Sequence, residues 1–278
     1  MGQYNFDQIL DRTHTKSLKY DFAVKRGKPA DVLPFWVADM DFEIPPELKQ
    51  ILLDRVNHGV FGYTESDDEY FDVLQNWFST RFNWIPEQKW LVKTPGIVFA
   101  LAMAVRAFTK EGEGVLINQP VYYPFSMVID DNNRHLINVP LIKGEERYTI
   151  DFEGIERAIV EENVTLFLLC NPHNPVGRVW TEDELKRLGD ICIKHNVLIV
   201  SDEIHADFVW KGHTHKVFAA LGESYAEHCI VCTAPSKTFN IAGLQVSNIF
   251  IPNDSLRRRF IKEIDRAGYS QLNTMGIV

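Results

Sequence analysis

Short apolar runs closed by polar or turn-forming residues recur along the chain, at Gly114–Asn118, Arg134–Val139, Thr165–Cys170, Val197–Val200 and Cys229–Thr233. Runs of this length, bounded this way, read as buried strands. Between them lie stretches with helical spacing. Pro45-Pro46 opens one that runs to about Val56. Asp67–Phe82 places Tyr70, Leu74, Trp77 and Phe78 on one face, and Val98 to about Phe108 is strongly apolar. Asp151–Glu161 follows, then the segment that Thr181-Glu-Asp-Glu184 opens as a capping box and that continues to about His195. Asp254–Arg266 begins a last, long helix with no clear end signal before Tyr269. Strands alternating with helices predict an α/β three-layer sandwich around a mostly parallel sheet with right-handed crossovers. No internal repeat interrupts the pattern.

Composition narrows the class. With 278 residues and 45% hydrophobic content, the chain is long enough for one large domain and part of a second, smaller one. A net charge of −9 argues against nucleic acid or an anionic membrane as partner. The one basic cluster, Arg257-Arg-Arg259, reads as a solvated helix face. No apolar run approaches the roughly 18 residues of a membrane span, and Met1–Tyr20 lacks a signal-peptide core, so a cytoplasmic location is expected. Cys170, Cys192, Cys229 and Cys232 lie in or beside apolar segments and read as buried free thiols. His213 and His215, in a polar turn with no third ligand nearby, predict no metal site.

The chemistry gathers at strand ends. Lys237 follows the run Cys229–Thr233 and is hemmed in by small, hydroxyl and turn-forming residues. A partly desolvated ammonium there has a lowered pKa, which suits Schiff-base formation with an aldehyde cofactor. Asn171–Arg178 and Ser201–Asp207 also follow strands, so polar groups from three strand ends converge on one crevice, where α/β sheets bind ligands. Gly96, in Thr94-Pro-Gly-Ile-Val98, sits at the first turn of a helix, where backbone N–H groups are unpaired and an anion is favoured.

Six motifs in order, P-F-W-V-A-D-M-D-F, F-G-Y-T, Q-P-V-Y-Y-P-F, N-P-H-N-P-V-G-R, S-D-E-I-H-A-D-F and T-A-P-S-K-T-F-N-I-A-G, make the chain resemble the fold-type I pyridoxal-phosphate enzymes. Within them it is similar to the cystathionine β-lyase and cystalysin-like C–S lyases, a subgroup that looks like class I/II aminotransferases. The resemblance covers about residues 30 to 278. It implies that Lys237 carries pyridoxal 5'-phosphate and removes the Cα proton, and that Asp202 pairs with the pyridinium nitrogen. Asn174 would donate to the phenolic oxygen and help orient the substrate carboxylate, with His205 nearby. Tyr122 would stack on the ring, with Tyr123 as the other candidate. Gly96 and Ile97 would cup the phosphate, helped by the hydroxyl of Ser236 or, second, Thr233. Trp36 would border the substrate pocket, and Tyr63 would reach the phosphate of a partner subunit in a homodimer with shared active sites.

One departure is informative. Relatives with aminotransferase activity carry a phosphate-gripping arginine eight residues after the lysine, where this chain has Gln245. That fits a β-lyase, which releases a thiol, pyruvate and ammonia from a small sulfur amino acid such as cystathionine or cysteine. Transamination is the alternative, and a non-catalytic regulator retaining the fold a third class, disfavoured because Lys237 and Asp202 are both present. The expected organisation is an N-terminal arm and start of a small domain over residues 1–45, then a cofactor-binding large domain over 46–278. The family's C-terminal small domain, with its substrate-clamping arginine, is expected to be missing. The role of the arm is not legible.

Overall fold

The computed structural model describes residues 4–278. Nine strands are present, β1 (Leu91–Thr94), β2 (Gly114–Ile117), β3 (His135–Asn138), β4 (Ile142–Lys143), β5 (Tyr148–Thr149), β6 (Val164–Cys170), β7 (Leu198–Asp202), β8 (Cys229–Thr233) and β9 (Ser247–Phe250). Nine α-helices accompany them: α1 (Pro46–His58), α2 (Asp68–Phe82), α3 (Ile97–Phe108), α4 (Pro124–Asp130), α5 (Phe152–Glu161), α6 (Glu182–Lys194), α7 (Glu223–Ala226), α8 (Asp254–Arg266) and α9 (Thr274–Ile277). Seven strands form one sheet in the order β1-β9-β8-β7-β6-β2-β3, while β4 and β5 pair as a separate hairpin. All neighbours from β8 to β3 are parallel, and β9 runs against both β8 and β1. The mostly parallel three-layer α/β architecture expected from the sequence is therefore the observed one.

Side chains alternate across the sheet, so each central strand feeds two cores. Leu168, Cys170, Val200 and Cys232 face a layer built by α3, α4 and α8. Phe167, Leu169, Ile199 and Val231 face the layer of α2, α5, α6 and the turn at Phe218–Leu221. Helix α3 is apolar nearly all round, with Ala100, Leu101, Ala104 and Val105 fully buried, because it is sandwiched between the sheet and α8. Caps fix the helix starts. Asp67, Asp151 and Asn253 each accept from a first-turn N–H, and Thr181 with Glu184 forms the expected reciprocal capping box.

Strands β1 and β9 were not expected from the sequence, because their polar residues disguise buried strands. Thr94 and Ser247 exchange a hydroxyl–hydroxyl hydrogen bond of 2.7 Å, and the Tyr70 hydroxyl donates to Asn248 Oδ1 at 2.7 Å. The hairpin of β4 and β5 was also not expected. Two further expectations are corrected, the first in part. In Arg257–Arg259, Arg258 and Arg259 are exposed as expected of a solvated face, but Arg257 is buried and donates to the carbonyls of Ile251 and Pro252. His215 is no turn residue either, since its side chain is fully buried and lies 2.8 Å from Glu203 Oε2. The four cysteines are free and buried, as expected. Among the described residues, no helix is long and apolar enough to cross a membrane and no group of metal-ligating side chains is present.

Candidate active site

The C-terminal ends of the parallel strands deliver the site. Asp202 closes β7 between Cys170 of β6 and Cys232 of β8, a register that buries its carboxylate on both sides. Its Oδ1 accepts the Ile204 N–H at 3.2 Å. That single bond does not offset the lost hydration. Burial, with the charge of Glu203 adding to it, pushes the carboxyl pKa up to about 7, against the pull of Lys237. The neighbouring thiols of Cys170 and Cys232 are pushed up by burial too, and so are inert as nucleophiles.

Lys237 lies on the turns that follow β8, half-buried, and its Nζ donates to the Ala38 carbonyl at 3.3 Å. Burial lowers its pKa, while Asp39 and Asp202 act in the opposite direction. Burial outweighs the two carboxylates, and a lowered ammonium pKa is what Schiff-base chemistry at a lysine requires. His205, on the turn after β7, is likewise lowered by burial, with the charge of Lys237 adding to it.

The other predicted residues arrive from neighbouring loops. Asn174 follows β6, and its carbonyl accepts the Tyr122 N–H at 3.0 Å, tying the loops after β6 and β2 together. His173 reinforces that junction, with its Nε2 2.9 Å from the Pro120 carbonyl. Of the two tyrosines, Tyr122 is the inner one, 38% exposed against 68% for Tyr123. Burial raises the Tyr122 phenol pKa, with Tyr123 and Asp202 adding to it, so this ring lies within the field of the buried carboxylate. Gly96 caps α3 with φ 153°, no side chain caps the helix, and the space a Cβ would occupy is open. Gly96 and the Ile97 that opens α3 thus leave an uncapped helix N-terminus facing free space. Thr233 is removed as a hydroxyl donor to a ligand, because it donates to the Asn248 carbonyl at 2.8 Å inside the sheet. Ser236 remains half-exposed on the Lys237 loop.

Tyr63 makes no contact with this cluster within the chain. It is 98% exposed on the loop before α2, and lines an open cavity of about 800 Å³ together with Pro95, Gln245 and Tyr269. Trp36 is partly buried, but its indole N–H has no partner. A second cavity, of about 710 Å³, lies behind the Lys237 loop between α1, α2 and α9, and neither cavity is lined by Lys237 or Asp202.

The sequence reading missed three contributors. Asn240 brackets the segment Ala38–Phe42, accepting the Met40 N–H at 2.9 Å and donating to the carbonyls of Met40 and Phe42 at 3.0 and 2.9 Å. Arg12 and Lys19 of the N-terminal arm bind Asp39 and Asp41. Only the arm's polarity hinted at this, because the partners lie 20 to 29 residues away.

A buried carboxylate short of partners, a half-buried lysine on the loop after the next strand and an open, uncapped helix start match the needs of pyridoxal phosphate, namely a cation for the carboxylate, a carbonyl for the amine and a phosphate for the helix. Residues 30–276 match the family model for aminotransferase class I and II, and the chain belongs to that family. Among its relatives, it is 43% identical over 273 residues to the cystathionine beta-lyase PatB of Bacillus subtilis (strain 168), covering 98% of this chain and 70% of the relative. Among solved structures, cystalysin from Treponema denticola, which contains a pyridoxal 5'-phosphate cofactor, superposes with a TM-score of 0.94 at 41% identity, over 99% of this chain and 70% of that one. A PLP-bound putative aminotransferase from Clostridium difficile 630 gives 0.95 at 43% identity, over 99% and 70%.

Proposed function

We propose that the chain is a pyridoxal-phosphate-dependent carbon–sulfur β-lyase that cleaves a small sulfur amino acid to a thiol, pyruvate and ammonia. The observation that carries the reading is the placement of a buried Asp202 at the end of β7, opposite Cys232 of β8, with the half-buried Lys237 on the turns that follow β8. Likeness to a cystathionine beta-lyase and to cystalysin supports the choice of reaction.

Bound pyridoxal phosphate supplies an aldehyde for the substrate amine and a ring that accepts electrons from Cα. In this reading Lys237 would hold the aldehyde and would serve as the base for the Cα proton. Asp202 would hold the ring nitrogen's proton through an ion pair that offsets the cost of its burial. Tyr122 would stack on the ring, and the Asn174 amide with His205 would serve the phenolic oxygen. Gly96 and Ile97 would offer backbone N–H groups to the phosphate and Ser236 a hydroxyl, while Gln245 would offer no bidentate cation. Trp36 walls the substrate pocket.

We further propose a cytoplasmic homodimer in which Tyr63, exposed and unpartnered within the chain, reaches the partner's phosphate site. Phe35 at 97% exposure and Phe61 at 59% offer apolar surface for that contact. In this reading residues 1–45 form an N-terminal arm and the start of a small domain, and residues 46–278 the cofactor-binding large domain.

The test is pyruvate formation from cystathionine with no keto acid present, together with borohydride fixation of pyridoxal phosphate to the Lys237 peptide. Transamination is the second reading, favoured by the likeness to the putative aminotransferase. It would require a keto acid and release no thiol. Cofactor fixed to another lysine overturns the Lys237 assignment.

A further inference from the structure

The segment before α1 runs over the Lys237 loop as a strap, and its charges come in a closed set. Arg12 Nη2 lies 2.5 Å from Asp39 Oδ2, and Arg12 Nη1 lies 2.6 Å from Asp41 Oδ1. Lys19 Nζ lies 3.2 Å from Asp41 Oδ2 and 3.8 Å from Asp39 Oδ1, and it also donates to the Asp39 carbonyl at 3.0 Å. Two cations thus face two carboxylates. The aromatic ring of Tyr20 lies under both cations. Asn240, three residues beyond Lys237, locks the same strap from the other side through Met40 and Phe42.

The strap is held under tension. Val37 has φ 54°, a left-handed conformation that a β-branched residue rarely adopts and that persists only where surroundings enforce it. The very next residue, Ala38, presents the carbonyl that accepts from Lys237 Nζ. Asp39 follows, with Oδ1 buried and lacking a hydrogen-bond partner.

We infer that Arg12 and Lys19 are positioning residues for Lys237: they neutralise Asp39 and pin the strap, so that the Ala38 carbonyl meets the amine without an unbalanced negative charge alongside it. The inference rests on the reading of Lys237 as the reactive amine. An isolated carboxylate beside a half-buried ammonium stabilises the charged form and raises its pKa. An Asp39 shared with two cations does so much less. The charged and titratable groups facing Lys237 are Asp39 from the strap, Asp202 from the end of β7 and His205 from the turn after it. Arg12, Lys19, Asp41 and Tyr20 stand behind Asp39. Of these, Asp39 is the one whose charge the arm controls.

The experiment is competitive acylation of the cofactor-free 278-residue chain with acetic anhydride across the neutral to alkaline range, with the Lys237 peptide read by mass spectrometry. It reports the pH midpoint at which the amine becomes reactive and needs neither cofactor nor turnover, so it stands apart from the lyase assay. Arg12→Met should move that midpoint up by about one pH unit. Arg12→Lys should leave it in place. Asp39→Asn, in which Arg12 keeps its pairing with Asp41, should move it down. Arg12→Met combined with Asp39→Asn should return it close to the wild-type value, because both charges leave together. A merely structural role for the arm would lower the melting temperature of these variants without this pattern of opposite shifts. An unmoved midpoint in Asp39→Asn, or a double variant displaced as far as Arg12→Met alone, overturns the inference. Should Arg12→Met fail to fold, Asp39→Asn alone decides between the two outcomes.

Discussion

Two consecutive carboxylates at the end of one strand lead opposite lives. Ser201, Asp202 and Glu203 alternate across the sheet, so Glu203 enters the layer of α2, α5 and α6 while Asp202 points the other way. Glu203 is met on every side, by the Ser201 hydroxyl at 2.8 Å, the Phe218 N–H at 2.9 Å and the His215 ring at 2.8 Å. Asp202, equally out of water, has one backbone N–H at 3.2 Å and a carboxyl pushed up to about 7. Full satisfaction marks a group that holds the fold together. A buried group left short of partners by its own chain marks a place prepared for something else.

The largest expected effects separate these roles. Lys237→Ala should remove the borohydride-fixed cofactor and lower elimination by at least about a thousandfold, with the melting temperature little changed. Asp202→Asn should keep the fold and weak cofactor binding yet lose on the order of a hundredfold in kcat, since an amide cannot hold the ring proton. Glu203→Ala should do the reverse, costing about 3–5 kcal/mol in denaturant unfolding by stranding His215, while residual folded protein still binds cofactor. If the two carboxylate variants behave alike in both assays, the contrast collapses.

A subtler effect lies in pH. With a folded pKa near 7, the cofactor-free chain keeps a proton on Asp202 that the unfolded chain has already released. Stability therefore falls as pH rises from the ordinary aspartate range to about 7, by on the order of 2 kcal/mol or more, and the contribution is fully regained below that window. Asp202→Asn should flatten this slope, and added pyridoxal phosphate should reverse part of the loss. Urea midpoints measured across the window check both. The smallest effect expected is at the phosphate end, where Gln245→Arg should tighten cofactor binding by about tenfold or less. Equilibrium dialysis would show it.

Much of this was legible in the sequence, for reasons that differ by residue. The six longer helices and the central strands announce themselves by period and by caps such as Thr181 with Glu184, whereas the short α4, α7 and α9 offer too few turns for a period to show. Lys237, Asp202 and Asn174 are readable because they follow apolar runs, and strand ends are where polar groups gather. Strands β1 and β9 escaped because Thr94, Ser247 and Asn248 are polar residues whose partners are supplied only by the folded sheet. His215 escaped for the same reason, its partner Glu203 lying twelve residues away across a turn. The arm's clamp was hidden further still, since no local pattern links Arg12 to Asp39.

The Asn240 latch also bears on the order in which the molecule assembles. It joins residues 200 positions apart, so nothing at the amino end can foretell the lysine's arrival during synthesis. The arm's charges can pair with Asp39 and Asp41 as soon as they emerge, forming a seat long before its occupant exists. Contacts of such separation are made late, after the loop-closure entropy of the intervening sheet has been met by other bonds. On this order the Lys237 loop is seated last, onto a framework already closed. Asn240→Ala should accordingly speed unfolding while leaving the refolding rate nearly untouched, and stopped-flow kinetics would register the asymmetry.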